Sequence, residues 1–252
     1  MIRIKSEQAI EKMRIANSII ASLFSMLEKH VLSGISTWEL DKMAEDFIHS
    51  RGAKPAFKGY TVPGLQPFPG TLCTSINSGI VHGIPSKSII LKEGDIIGID
   101  VGTIYEGFYG DAARTFAVGS ISPEALRLLK VTAQALEIGV AQAVPGNRVG
   151  DISHAIESFI KENGYHCADD LTGHGIGYNL HEDPQIPNIG KPGRGARLRS
   201  GMTIAIEPMV NIGTNRVIEK GWEYFTEDGS LSAHFEHSIL IKNDRPEILD
   251  KG

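Results

Sequence analysis

The sequence predicts an α+β chain built from two related halves, on three observations. Two apolar stripes near period 3.6 precede a group of short β-type runs, and the same order then returns. The stretch LKEGDIIGID, residues 91–100, is echoed by LRSGMTIAIE, residues 198–207: each passes from Gly through an apolar run to an acid, Asp100 and Glu207. The helix stop Arg51-Gly52 has its counterpart at Asn163-Gly164. Set side by side as one domain over 1–252, halves of about 1–120 and 121–252 would bring equivalent strands together around a pseudo-two-fold axis. Asp100 and Glu207 would then meet at the centre.

Taken in order, Ser6 caps a helix from Glu7 to Lys29, with Ile10, Met13, Ala16, Ile20, Leu23 and Leu27 on its apolar face. Ser36-Thr37 opens a second helix that ends at Arg51-Gly52. Residues 53–71 are rich in Gly and Pro and read as a loop. Strands are expected over 72–77, 89–91, 95–104 and 108–118. In the second half, Ser122-Pro123-Glu124 starts a helix running to about Ala143. Another opens at Asn147 or Asp151 and ends before Gly164. Strands are expected over 203–210 and 235–241, with a polar ribbon around 221–225.

Composition narrows the function. A net charge of −5 leaves no basic surface for nucleic acid or an anionic membrane. The charged start has no signal-peptide core, and the apolar runs are too short to span a bilayer. Two cysteines, Cys73 and Cys167, make neither a disulfide framework nor a zinc finger, so a cytoplasmic protein with reduced thiols is expected.

The acids carry the chemistry. Asp100 and Asp111 bracket VGTIYEGFYG, whose centre reads as a tight hairpin with Gly107 in a left-handed conformation. The two acids should fall within about a residue of direct opposition, with Cβ atoms about 4.5–5.5 Å apart. Like charges that close require either a proton or a cation between them. Glu207 and Glu236 add two more acids at similar depth, and four together suit hard divalent ions. His174 lies among three glycines in TGHGIGYNLHEDP, with His181 behind it, while His82 is Gly-flanked in NSGIVHGIP. One His among carboxylates suggests Mn, Fe or Co, and the donor set also accepts Zn.

The ordered set NSGIVHGIP, IDVGTIYEGFYGD, TGHGIGYNLHEDP, IEPMV and FEHSI resembles the type I methionine aminopeptidases in their short bacterial form. The resemblance spans the chain. It implies the pita-bread fold, with a central antiparallel sheet covered by helices around two divalent ions (Co, Mn, Fe or Zn). It implies removal of N-terminal methionine from nascent polypeptides, at or near the ribosome, when the second residue is small. In that family's pattern Asp100 chelates one metal, Asp111 and Glu236 bridge both, and His174 and Glu207 complete the other. Glu207 also moves protons, while His82 and His181 attend the substrate amide and the developing oxyanion. Val62, Leu65, Phe68 and Cys73 would form the methionine pocket, with Trp222 beside it. Phe68, Leu65, Leu180 and Gly102 depart from the family's commoner residues and imply a roomier or less polar pocket. A monomer is expected. The rival readings are a prolidase or X-Pro aminopeptidase of the same fold, a non-catalytic peptide-binding member, and a structural metalloprotein.

Overall fold

A computed structural model describes residues 2–251. In the first half, α1 (Glu7–Leu27) and α2 (Thr37–Ser50) cover a four-stranded antiparallel sheet. Ser6 Oγ accepts from the Ala9 N–H, and Ser36 with Glu39 closes a reciprocal cap, as the sequence required. The strand Ile96–Tyr105 lies between Leu72–Ile76 and Phe108–Ala117, with Lys54–Pro55 alongside its far end. Ile20, Leu23, Leu40 and Ile48 pack against Leu72, Ile97, Ile99 and Val101 in one core. The hairpin turns on Glu106 and Gly107, with φ of 47° and 83°, a two-residue turn in which both central residues are left-handed.

In the second half, α3 (Pro123–Ala141) and α4 (Val149–Glu162) pack over a five-stranded antiparallel sheet. Its order is Glu247–Ile248, His237–Leu240, Thr203–Ile206, Thr172–Gly175, Glu182–Pro187. Leu128, Leu136, Ile152 and Ile156 join Ile204, Ile206 and Ile239 in a second core. A hairpin, Val217–Lys220 with Glu223–Thr226, pairs across to Gly79–Val81 in the first half.

Several boundaries differ from expectation. α1 stops at Leu27, two residues early, and α4 begins at Val149 after Arg148, whose N–H donates to the Asp151 carboxylate. Residues 89–91 form no strand; Ile90 makes a single bridge to Ser36. The expected strand 203–210 is two strands, Thr203–Ile206 and Met209–Asn211, divided at Glu207-Pro208 because Pro208 has no N–H to donate. The expected strand 235–241 begins only at His237. The hairpin acids are also offset: Asp100 pairs with Ala113 and Asp111 with Gly102. They are diagonal neighbours on one face, two residues from direct opposition.

The halves meet along a seam between residues 111–115 and 234–238. Glu236 N–H donates to the Ala113 carbonyl at 2.9 Å. On one side Thr115 Oγ1 accepts from the His234 N–H and donates to the His234 carbonyl. On the other, Ser238 Oγ accepts from the Asp111 N–H and donates to the Asp111 carbonyl. Hydroxyl groups thus replace every second rung of an antiparallel ladder.

Candidate metal centre

Each acid reaches the seam by a different route. Asp100 and Asp111 come from the hairpin. Glu207 sits at the Pro208 break, its carbonyl held by Asn188 Nδ2 at 2.9 Å. Glu236 lies in the gap between the strands Ser232–His234 and His237–Leu240. His174 comes from the strand Thr172–Gly175, paired with Ala205. Its Nδ1 lies 2.9 Å from the Gly175 carbonyl, which can only accept. Nδ1 therefore carries the hydrogen, and the Nε2 lone pair faces the acids. Nε2 is 3.6 Å from Glu207 Oε1 and 3.8 Å from Asp111 Oδ2.

Burial makes this cluster costly without a cation. It pushes Asp100 up to about 7 and drives Asp111 and Glu236 well above the carboxylate range, with neighbouring acids adding to both. Burial also raises Glu207, but the His234 imidazole beside it and the nearby His174 and His181 outweigh burial and hold that group low. Asp100 Oδ1, Asp111 Oδ1 and Glu236 Oε1 are buried with no hydrogen-bond partner among the described residues. Orphaned buried acceptors converging from separate elements fit a divalent ion. Two donor groups stand out, Asp111 with His174 and Glu236, and Glu207 with His234 and Glu236.

Above the acids lies a cavity of about 310 Å³. Val62, Phe68, Cys73 and Trp222 line it, together with Phe57, Tyr60 and Leu180. Cys73 pairs directly with Asp100, so both face the cavity, and burial pushes its thiol well up, leaving it a neutral wall. Leu65 is not among the lining residues, whereas Val62, Tyr60 and Phe57 are. Gly102 has a physical reason, since a Cβ there would meet the Phe57 ring at 2.6 Å. Trp222 Nε1 donates to the Gln66 carbonyl at 2.8 Å and its ring stands edge-on to Phe68.

His82 and His181 flank this cavity. His82 holds a left-handed φ of 58°, uncommon outside Gly, and stacks edge-on against Tyr224. Burial lowers its pKa. His181 Nδ1 lies 2.8 Å from the Tyr60 hydroxyl, and its ring lies edge-on to His174 at 4.4 Å. Burial, with the neighbouring His174, lowers it to about 4, so His181 is neutral near pH 7.

The metallopeptidase family M24 profile matches residues 11–243. The chain belongs to metallopeptidase family M24. Within the family it is 50% identical to a methionine aminopeptidase of Clostridium acetobutylicum, over 99% of this chain and 98% of the relative. The crystal structure of the methionine aminopeptidase of Thermotoga maritima superposes with a TM-score of 0.97 at 44% identity, covering all of both chains. The Pyrococcus furiosus prolidase superposes with a TM-score of 0.79 at 25% identity, and the match covers 65% of that chain. The M24 fold here is the pita-bread fold the sequence led us to expect, and the chain is a metal-dependent peptidase.

Three site residues escaped sequence reasoning. Phe57 and Tyr60 lie in a loop with no periodicity to mark a face. His234 had a signal: it stands two residues before Glu236, and the strand period of two puts such positions on one side.

Proposed function

We propose that this chain removes the N-terminal methionine from nascent polypeptides and peptides whose second residue is small. The single observation behind the reading is the pairing of a floor of orphaned, buried carboxylates with an apolar cavity of methionine-like character. Two divalent ions would be held by Asp100, Asp111, His174, Glu207 and Glu236, with Co, Mn, Fe and Zn all suited to the donor set. Bound there, they would supply Lewis acidity and an acidified water.

The protein's own groups do the rest. Glu207 accepts the proton of the attacking water and returns it to the leaving amine. Tyr60, donating to His181 Nδ1, leaves the hydrogen on Nε2, which then serves as a preorganised donor to the developing oxyanion. His82 positions the substrate amide. Phe57, Val62, Phe68, Cys73, Leu180 and Trp222 enclose the methionine side chain and exclude water from it. The substrates are free N-termini emerging at or near the ribosome, met by a cytoplasmic monomer acting as one domain over 1–252. Nothing in the reading calls on nucleic acid, and no helix among the described residues is long and apolar enough to cross a membrane.

The test is chelator stripping, re-addition of Mn or Co, and parallel assay of Met-Ala-Ser, Leu-Ala-Ser and Ala-Pro-Ala. Metal-dependent release of methionine alone is expected. Cleavage of the proline peptide instead would place the chain with the prolidases.

A further inference from the structure

Glu207 has a histidine on each oxygen. His174 Nε2 stands 3.6 Å from Oε1, and His234 Nε2 stands 3.4 Å from Oε2. His174 belongs to the ligand set already described; His234 has been given no role. Its side chain is 3% exposed, and Nε2 has no hydrogen-bond partner among the described residues. A buried imidazole nitrogen is rarely left unpaired. The ring is not adrift either, because Thr115 clamps the His234 backbone from both sides and the Met209–Asn211 strand pairs with it.

We propose that His234 is a second imidazole ligand of the metal pair, donating through Nε2 beside Glu207 and Glu236. The proposal rests on the dinuclear reading above. The two donor groups, Asp111–His174–Glu236 and Glu207–His234–Glu236, each draw together within 4.8 Å and share only Glu236. Glu236 belongs to both groups, and Glu207 stands between the two imidazoles, so the ion taken by Glu207 and His174 is within reach of His234 as well. Spacing agrees with it. Two donors each ~2.0–2.2 Å from one first-row ion lie roughly 3–3.5 Å apart, and 3.4 Å falls within that range. A simple charge-assisted N–H···O bond to Glu207 would instead be about 2.7–2.9 Å. Chemically, a second imidazole moves the site from an almost all-oxygen set toward a mixed one, favouring Fe, Co or Zn over Mn.

The experiment uses the full chain labelled with ¹⁵N-histidine, stripped and loaded with two equivalents of ¹¹³Cd. Two imidazole nitrogens coupled to cadmium are expected, falling to one in His234→Gln. Metal titration of that variant should show one of two ions weakened roughly 10- to 100-fold. Two ions bound with a single coupled imidazole in the unsubstituted protein would overturn the assignment and leave the dinuclear reading standing. Failure to bind two ions would remove both. The unsubstituted protein decides the matter by itself, so the proposal stays testable even if the variant does not fold.

Discussion

Glu207 and Glu236 occupy facing gaps in one strand pairing: Met209 pairs with His234 and Ile206 with His237, while the residues between leave the ladder register, with the Phe235 N–H donating to the Pro208 carbonyl at 3.4 Å across the gap. The gap frees both carboxylates from the ladder and turns them toward the seam. A continuous strand through 203–210 would alternate its side chains without interruption.

Metal uptake should therefore release protons. With Asp100 raised to about 7 and Asp111 and Glu236 raised well above the carboxylate range by burial, the ion-free site holds protons that an ion must displace. Affinity should rise as pH is raised through 7, and calorimetry in buffers of different ionisation enthalpy should report at least one proton released. Uptake independent of pH would contradict the buried carboxylate cluster.

The same groups set the stability of the stripped protein. Their folded pKa values lie above the unfolded values, so the native state binds more protons between about pH 4 and 7. Stability should fall as pH rises through that window. His181 acts oppositely: lowered from 6.5 to about 4, it withdraws stability as pH falls below 6.5. Burial lowers His82 as well, and three carboxylates against two imidazoles leave the first trend dominant. Melting temperatures of chelated protein from pH 5 to 8 should decline, and loading with metal should remove the decline.

Glu207→Gln keeps the size of the side chain and loses its basicity. Single-turnover hydrolysis of a Met-Ala peptide should slow by roughly 10²–10⁴-fold. Turnover at the original rate would remove Glu207 from its proton role.

Tyr60→Phe should cost about 10-fold in kcat and little in KM. The hydroxyl fixes the His181 ring and its tautomer, whereas the phenyl ring keeps the cavity wall. A change confined to KM would mean that Tyr60 serves the pocket alone.

Ser238→Ala removes the hydroxyl that serves both main-chain groups of Asp111. A buried N–H left without a partner costs about 1–3 kcal/mol, measurable by denaturant unfolding. Metal affinity should fall with it, since Asp111 is aimed by that seam.

Much of this was legible in the residues. The stripe from Ile10 to Leu27 and the caps at Ser6, Ser36 and Ser122 needed only local rules. Asp100, Asp111, His174, Glu207 and Glu236 stood out as acids and an imidazole where apolar strands or Gly-rich turns gave no reason for them. What escaped depended on distant partners. The Pro208 gap exists because two different strands claim its flanks. Tyr60 enters the site from a Gly- and Pro-rich loop, where its hydroxyl meets His181, a residue 121 positions away. The turn at Glu106-Gly107 was read from the residues, but the Tyr105–Phe108 pairing it sets leaves Asp100 and Asp111 two residues from direct opposition rather than within about one.

The seam also dictates when the centre can come into being. Asp100, Asp111, His174 and Glu207 all precede residue 208, yet His234, Glu236 and Ser238 emerge only with the last strands. A chain still being synthesised holds a loose set of acids with little claim on any ion. Metal capture should therefore await the completed chain.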